Sequence, residues 1–259
     1  DSGVWSSVPA SERGDLLLKF AAVLRERKDE FARAESLDTG KRFVESQIDM
    51  DDIANCFDYF GKLAANDAGR VVDAGTDTVA SKIVHEPVGV CALITPWNYP
   101  LLQAAWKIAP AIAAGNTFIL KPAELTPHTA ILTMQVLEER GLPAGVGNLI
   151  LGAGADAGAP LSTHEGIDMV SFTGGHVTGR LLFRNAADSI KKIALELGGK
   201  NPVVVFADAD FDAALDNALN GAFVHSGQVC SAGARLIVEE SIAEEFVNRL
   251  VERAEQIRL

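Results

Sequence analysis

The sequence contains few cysteines, and their spacing does not resemble a structural site. Only Cys56, Cys91 and Cys230 are present, without the CxxC or Cys/His spacing that is typical of zinc ligands. An odd number of cysteines also disfavours the disulfide framework of small secreted domains. We therefore expect no metal site and at least one free thiol.

The sequence also lacks excess basic charge and long apolar runs. Its 23 Lys and Arg residues face 35 Asp and Glu residues, which gives a formal net charge of −12 at pH 7. An acidic chain without a basic run does not attract nucleic acid or anionic lipid. No apolar stretch approaches the length of a membrane span, and the first residues do not resemble a secretory signal. These absences predict a cytoplasmic protein that binds neither nucleic acid nor membranes.

The first part of the chain predicts helices followed by a small arm. Apolar residues recur at near-helical spacing over 15–31 and more strictly over 53–64, which predicts two amphipathic helical stretches. Over 69–85, β-branched residues alternate partially around Gly75. This pattern predicts a small antiparallel arm, which is a candidate for oligomerisation.

The middle of the chain alternates short apolar runs with helical patterns. The runs, each bounded by Gly or Pro, read VGVCALIT, NTFILK, GNLILG, DMVSFT and KKIALELG. Strands that alternate with helices pair in parallel through right-handed crossovers, so we predict an α/β fold with a doubly wound parallel sheet. This domain is predicted to cover 1–200. A second α/β domain is predicted to begin at residue 201. The part of it that is present, 201–259, is too short to close its own core.

Ligands of such sheets bind beyond the carboxyl ends of the strands, so the residues after each run are candidates. Asn98 follows the first run and can either donate to an oxyanion or make a turn before Pro100. Lys121 and Glu124 follow the second run, and they can hydrogen-bond the hydroxyls of a ribose or form a solvated charge pair. Taken alone, the turn and the charge pair are the simpler interpretations.

Two glycine-containing segments are candidates for phosphate binding. The segment GAGADAG at 152–158 matches a dinucleotide fingerprint weakly, because its last glycine falls one residue late. The segment FTGGHVTG at 172–179 fits better, because Gly174 and Gly175 allow a ligand to approach the backbone just before a helix N-terminus. A plain strand-to-helix turn explains this second segment equally well.

Four further side chains have a chemical and a structural interpretation. Glu196 interrupts an apolar run, so it is either a half-buried general base with a raised pKa or an outward-facing strand residue. Cys230 has small polar neighbours that suit a reactive thiol better than a core position. Tyr99 and Trp106 can contact a ligand, but such aromatic residues are more often part of the core.

Together, the motifs TPWNYP, WKIAPAIAAGN, KPAE, SFTGG, LELGGKNP and GQVCSAGAR occur in the order and spacing of the NAD(P)-dependent aldehyde dehydrogenase family. The chain resembles this family over nearly its whole length, and it is most similar to the betaine aldehyde dehydrogenase branch. The resemblance implies a Rossmann-like NAD-binding domain at 1–200 and the incomplete beginning of a catalytic domain at 201–259. Relative to the family pattern, we expect a chain truncated at both ends.

The resemblance also implies roles in the oxidation of an aldehyde to a carboxylic acid, with betaine aldehyde as the candidate substrate. Cys230 adds to the carbonyl to form a thiohemiacetal, while the Asn98 amide and the Cys230 N–H hold the oxyanion. Loss of hydride to NAD gives a thioester, and Glu196 activates the water that hydrolyses it. Lys107 matches a lysine near the proton path of the family.

The remaining implied contacts concern the cofactor and the substrate. Glu124 disfavours a 2′-phosphate, so NAD is expected rather than NADP, and Gly175 replaces a serine of many members. Tyr99 and Trp106 match aromatic residues that enclose a trimethylammonium group, whereas Val224 replaces a tryptophan of some plant members and favours a broader aldehyde range. The cofactor residues implied by the resemblance are Ile94, Thr95, Trp97, Lys121, Ala123, Glu124, Gly154, Gly158, Phe172, Thr173, Gly174, Gly175 and Leu197.

Assembly and two rival functions complete the expectations. The complete enzyme is expected to be a homo-oligomer, either a dimer or a tetramer. One rival is a noncatalytic NAD-binding fragment of such an enzyme. The other is a cysteine hydrolase or acyltransferase that uses Cys230 and His225, which is disfavoured because no orienting Asn or Asp stands beside His225.

Overall fold

The computed structural model describes residues 3–66, 69–76 and 78–258. The helices are α1 (Ala10–Glu26), α2 (Lys28–Thr39), α3 (Phe43–Asn66), α4 (Pro100–Ala113), α5 (His128–Glu139), α6 (Ala159–Thr163), α7 (His176–Ala187), α8 (Phe211–Phe223) and α9 (Glu240–Ala254). The strands are β1 (Arg70–Val72), β2 (Ser81–Ile83), β3 (Val90–Ile94), β4 (Thr117–Lys121), β5 (Gly147–Leu149), β6 (Met169–Gly174), β7 (Lys192–Leu197), β8 (Pro202–Val205) and β9 (Arg235–Val238).

The central sheet has five strands in the order β5-β4-β3-β6-β7. The pairs β3–β4, β3–β6 and β4–β5 are parallel. The chain therefore runs outward from β3 to β5 and then returns to the other side of β3 to form β6. These strands are the five apolar runs of the sequence, and the predicted α/β fold with a parallel, doubly wound sheet is confirmed.

The helices that cover the sheet follow from apolar faces and from residues that end a helix. Pro100 occupies the first turn of α4, where its missing N–H is no loss, and Gly115 follows this helix with a φ of 84°. Helices α1 and α3 cross at Gly14 and Gly61, where a Cβ on Gly14 would clash with the Gly61 carbonyl oxygen. Small residues thus bring these two helices close enough to share one core.

The predicted helical stretch over 15–31 is two helices rather than one. Helix α1 ends at Glu26 and α2 begins at Lys28, and Arg27 between them has a φ of −100° and a ψ of 23°. No Gly or Pro marks this break in the sequence. The Arg27 guanidinium bonds Glu30 and lies 5.6 Å from the ring centroid of Phe31, which is fully buried. The break thus lies directly before a helix that buries Phe31.

Residues 69–85 contain the short strands β1 and β2, which pair antiparallel with Arg70 opposite Ile83. Asp77, which lies within the predicted arm, is outside the described residues. None of the helices in the described ranges combines the length and apolar character needed to cross a bilayer.

The chain divides into two compact units, Asp1–Glu196 and Leu197–Leu259, a boundary slightly before the predicted one at residue 200. In the second unit, β8 and β9 form a parallel pair with helices α8 and α9. The buried apolar cluster of this unit is small and consists of Val205, Leu215, Ala218 and Phe246.

Candidate functional site

A cavity of about 540 Å³ lies at the carboxyl ends of β3, β4 and β6, where the order of the sheet reverses. Crevices at this place in doubly wound sheets are ligand sites, and this volume suits a small molecule. The cavity is lined by these residues from the sequence-based set: Ile94, Thr95, Trp97, Lys121, Ala123, Glu124, Gly154, Gly158, Phe172, Thr173, Gly174 and Gly175. Leu197 belongs to the second unit.

Sequence reasoning missed several residues that line the same cavity. They are Pro96, Ala155, Ala159, Thr178, Leu181 and Leu182. Thr178, Leu181 and Leu182 follow Gly175 at the spacing of one helical face, so extending the glycine motif along α7 would have found them. The face of α7 that looks into the cavity is therefore mixed, with one hydroxyl and two apolar side chains.

Lys121 and Glu124 form the charged part of the cavity wall. The Lys121 side chain is buried, and its Nζ donates to the carbonyl oxygen of Pro122 at 2.9 Å. The same Nζ lies 3.6 Å from Oε2 of Glu124, whose side chain is 53% exposed. The stem of Lys121 packs beside Gly158, where an added Cβ would lie 3.4 Å from the Lys121 Cδ. Glu124 is thus available to accept hydrogen bonds from a hydroxylated ligand.

The two glycines at the start of α7 differ in a way that corrects the sequence interpretation. A Cβ on Gly174 would lie 2.5 Å from Cζ of Phe172, so this glycine makes room for a buried ring of the protein itself. A Cβ on Gly175 would meet nothing within 4 Å. Close approach to the backbone is therefore available at Gly175, which is the N-cap residue of α7.

The polar groups of the cavity fit a nucleotide cofactor. Within the described part of the chain, the buried hydroxyls of Thr95 and Thr173 have no hydrogen-bond partner. The first N–H groups of α7 lack intrahelical acceptors, and no side chain caps this helix. Unsatisfied donors at a helix N-terminus suit phosphate oxygens, and the Glu124 carboxylate suits ribose hydroxyls. The donor and acceptor set is therefore compatible with a dinucleotide.

Lys107 and Glu196, both predicted to be catalytic, interact electrostatically. Lys107 is buried on α4, and its Nζ donates to Oγ of Ser171 at 3.0 Å. Burial lowers the pKa of Lys107 to about 8, while the Glu196 carboxylate acts in the opposite direction. Glu196 itself is exposed on β7, so the expectation of a half-buried carboxylate is wrong and the outward-facing alternative holds.

Asn98 and Tyr99 lie at the start of α4, and Trp106 lies in the middle of this helix. Asn98 is half-buried in the turn after β3, Tyr99 is the N-cap residue of the helix, and Trp106 is 51% exposed. The Nζ of Lys41 lies 3.8 Å from the ring centroid of Tyr99. Because a cation of the protein occupies a face of this ring, that face is not free for a cationic substrate.

Lys41 belongs to a buried ionic cluster that sequence reasoning missed. Its Nζ lies 2.5 Å from Oδ2 of Asp49 and 3.7 Å from Oε1 of Glu35. Thr129 donates to Oε2 of Glu35, and burial raises the pKa of Glu35 to about 7 although Lys41 opposes this shift. The cluster links α2, α3 and α5 to the turn that contains Tyr99.

The three cysteines have different environments. Cys56 is half-buried and Cys91 is buried, and burial raises the pKa of each thiol to about 11. Cys230 is exposed. A thiol with a raised pKa is almost entirely protonated and unreactive at neutral pH, so Cys230 is the cysteine that a reagent in solution can reach.

The backbone before Cys230 has an unusual conformation. His225 and Ser226 have φ values of 49° and 56°, and Gly227 follows with a φ of 73°. Left-handed conformations are unfavourable for residues with a side chain, and they often accompany functional turns. His225 is buried within Val224–Gly227, and its carbonyl oxygen accepts from the N–H of Gln228 at 3.0 Å.

Comparison with known proteins gives a consistent result. The profile of the aldehyde dehydrogenase family matches residues 2–259. The betaine aldehyde dehydrogenase of Bacillus subtilis is 54% identical over 259 residues, which cover 100% of this chain and 53% of that protein. The chloroplastic betaine aldehyde dehydrogenase of Beta vulgaris is 46% identical over 258 residues, which cover 98% of this chain and 52% of that protein.

Solved structures are also similar to the chain. A crystal structure of betaine aldehyde dehydrogenase from Staphylococcus aureus in complex with NAD+ has a TM-score of 0.96 and 51% sequence identity. The match covers 99% of this chain and 51% of that chain. The chain therefore spans about half the length of the relatives that it matches.

Proposed function

Because the chain belongs to the aldehyde dehydrogenase family, we propose that it carries the cofactor site and the nucleophile of an enzyme that oxidises an aldehyde to a carboxylic acid with NAD. The observation that carries this proposal is the cavity at the carboxyl ends of β3, β4 and β6, with the Glu124 carboxylate and the open backbone at Gly175 in its wall. Its position and polar groups suit a nucleotide.

Cys230 is the proposed nucleophile. Its thiolate attacks the carbonyl carbon of the aldehyde, a C–S bond forms, and the carbonyl π electrons move to oxygen. The oxyanion is held by the side-chain amide of Asn98 and the backbone N–H of Cys230. The exposure of Cys230 supports this role, since Cys56 and Cys91 are less accessible.

NAD, when bound, supplies the hydride acceptor that allows the cysteine adduct to become a thioester. The cavity residues hold the cofactor in this proposal, with Glu124 on a ribose and the N-terminus of α7 beside the phosphates. A carboxylate at Glu124 repels a 2′-phosphate, which favours NAD over NADP. The S. aureus relative crystallised in complex with NAD+ supports this choice.

Glu196 is the proposed base for the water that hydrolyses the thioester. Its exposure on β7 gives the carboxylate access to water. Lys107 is proposed to assist proton movement, since a lysine with a pKa of about 8 exchanges protons near neutral pH. The deacylation step releases the carboxylic acid and the free thiol of Cys230.

Betaine aldehyde is the proposed substrate, supported by the relatives from B. subtilis and B. vulgaris. Trp106 is exposed and can contact a trimethylammonium group, whereas a face of Tyr99 is taken by Lys41. A homo-oligomeric enzyme with a cytoplasmic location also remains part of the proposal.

The test is a pre-steady-state assay of the chain with NAD and betaine aldehyde, followed by NADH absorbance. We expect a burst, because acylation produces NADH before the thioester is hydrolysed. Cys230→Ser should abolish the burst and retain NAD binding, measured by Trp97 fluorescence, since Trp97 lines the cavity. Cys56→Ser is the matched control and should retain both.

Each outcome decides between named functions. A burst that survives in Cys230→Ser would remove this residue as the nucleophile. NAD binding without a burst in the wild-type chain would favour a noncatalytic NAD-binding fragment. Absence of NAD binding would contradict the proposed role of the cavity.

A further inference from the structure

The cysteine turn, residues 228–235, accepts hydrogen bonds from the side chain of Asn201, the residue that directly precedes β8. Nδ2 of Asn201 donates to the carbonyl oxygen of Cys230 at 2.8 Å and to that of Ala232 at 3.1 Å. An Asn amide has two N–H groups, so both donors of Asn201 can be used on this turn. The side chain spans the turn at two points that flank Ser231.

These bonds fix the peptide that follows Cys230, and another bond fixes the peptide that precedes it. The N–H of Ala232 donates to the carbonyl oxygen of Val229 at 3.0 Å. The carbonyl of Val229 and the N–H of Cys230 belong to the same planar peptide unit. With both flanking peptides held, φ and ψ of Cys230 are restricted, and so are the directions of its N–H and its Cα–Cβ bond.

Asn201 is itself firmly anchored. Its carbonyl oxygen accepts from the N–H of Arg235 at 3.2 Å, and it directly precedes β8, which pairs with β9. The N–H of Gly233 donates to the carbonyl oxygen of Gly221 at 2.8 Å, and a Cβ on Gly233 would lie 2.5 Å from Cγ2 of Val203. The turn is therefore held against a strand pair at one end and against α8 at the other.

From this geometry we propose that Asn201 is the positioning residue of the nucleophile: it holds the Cys230 thiol and the Cys230 N–H in a fixed mutual orientation. The inference rests on the proposed function, in which the thiol attacks the carbonyl carbon and the N–H stabilises the oxyanion. Attack on an aldehyde needs both groups in place. Alkylation by iodoacetamide displaces iodide and creates no oxyanion, so it needs only the thiolate.

The first experiment compares hydrogen exchange in the cysteine turn between the wild-type chain and two variants, Asn201→Asp and Asn201→Ser. Asp keeps the shape of Asn without its donors, and Ser is too short to span both carbonyls. We expect the hydrogen-bonded amides of the turn, those of Ala232, Gly233 and Ala234, to exchange roughly tenfold faster in both variants, since one or both hydrogen bonds of the Asn201 side chain are lost. Asn217→Ala, at an exposed position of α8, is the matched control and should leave exchange unchanged.

The second experiment compares the rate of the NADH burst with the rate of Cys230 alkylation in the same variants. We expect the burst to fall at least about tenfold, because a displaced oxyanion donor is a large loss, while the alkylation rate changes less than about twofold. Cys56 and Cys91 should stay unlabelled, which reports that the fold is intact.

The outcomes separate this inference from the proposed function. A wild-type chain without a burst would contradict the proposed function for this chain, and exchange in 228–235 would still test the hold of Asn201. Unchanged exchange in both variants would overturn the inference. Faster exchange throughout β8, β9 and α8 in both variants would also overturn it, because Asn201 would then support the fold rather than the turn. An equal fall in the rate of the NADH burst and in the rate of Cys230 alkylation would also overturn the inference.

Discussion

The two units of the chain are stabilised in different ways. The first unit has a large continuous core that includes Phe20, Phe57 and Phe118, all fully buried. In the described part of the second unit, the buried apolar residues are Val205, Leu215, Ala218 and Phe246. Its cysteine turn accepts two hydrogen bonds from Asn201, and Gly233 of this turn packs closely against Val203. The proposed cofactor site thus lies in a unit with a large apolar core, and the proposed nucleophile lies in a unit with a small one.

The difference in core size predicts in which unit a single substitution has the larger effect. Truncating one buried side chain costs a similar free energy in either core, because the cavity that it leaves closes only partially, but a large core keeps much other apolar area buried. In a small core, one side chain supplies a large fraction of the buried apolar area. Stability and function of the second unit should therefore be the more sensitive to substitution.

The largest effect is expected for Phe246→Ala. Phe246 is fully buried, and its ring lies 5.3 Å from that of Phe211. Truncating a buried Phe costs about 3–5 kcal/mol, which should unfold most of the second unit. Hydrogen exchange should become fast over 202–254 and remain slow in β3, β4 and β6.

Two controls sharpen this prediction. Phe206→Ala removes a ring that is 63% exposed in the same unit, and it should change stability by less than about 0.5 kcal/mol. Phe57→Ala in the first unit should lower the melting temperature while the sheet stays folded. Slow exchange throughout the second unit in Phe246→Ala would contradict the comparison of the two cores.

Much of the first unit could be predicted from the sequence because its signals are local. The five apolar runs of the sequence are the five strands of the central sheet. Pro100 marks the start of α4, and Gly115 follows its C-terminal end. The cavity could be placed because parallel strands direct their carboxyl ends to one edge of the sheet. These features depend on residues close together in the chain.

Features that depend on distant contacts could not be predicted. The break at Arg27 has no Gly or Pro to mark it, so no local signal in the sequence predicts it. The ionic cluster joins Lys41 to Glu35 of α2 and Asp49 of α3 only after these two helices have packed. Periodicity alone gave two interpretations for Glu196, since a strand residue can face either side, and only the packed sheet decides between them.

The ionic cluster gives the next largest effect, a dependence of stability on pH. The pKa of Glu35 is raised to about 7 in the folded state by burial, above its usual value in an unfolded chain. Between roughly pH 4.3, the pKa of a free Glu, and pH 7, the folded state therefore binds more protons than the unfolded state. The free energy of unfolding falls as the pH rises through this range. The slope should approach about 1.4 kcal/mol per pH unit.

Glu35→Gln removes this titration. Urea unfolding at pH 5, 6, 7 and 8 should show that the variant loses less stability than the wild type between pH 5 and 7. Burial also raises the pKa of Asp49, so any slope that remains in the variant should have the same sign. A constant difference between the two proteins at every pH would show that Glu35 ionises equally in both states.

The adjacent glycines at the start of α7 should separate stability from cofactor binding. Gly174→Ala places a methyl group against the Phe172 ring and should cost about 1–3 kcal/mol. Gly175→Ala meets open space and should cost no more than about 1 kcal/mol, the loss of a favoured N-cap residue, while it weakens NAD binding by narrowing the cavity. Thermal melts with and without NAD measure both effects. Equal destabilisation by the two substitutions would contradict the distinction.

The smallest effect is expected for the ion pairs between α8 and α9. Asp212 accepts from Arg249 at 2.9 Å and from Arg253 at 3.0 Å, and the Asp212 side chain is 65% exposed. Exposed pairs contribute only about 0.2–1 kcal/mol and are screened by salt. Asp212→Asn should therefore lower stability within this range in dilute buffer, and the loss should shrink in 1 M NaCl, roughly where screening is nearly complete. A loss as large as that of Phe246→Ala would mean that charge pairing, and not the small apolar core, holds the second unit together.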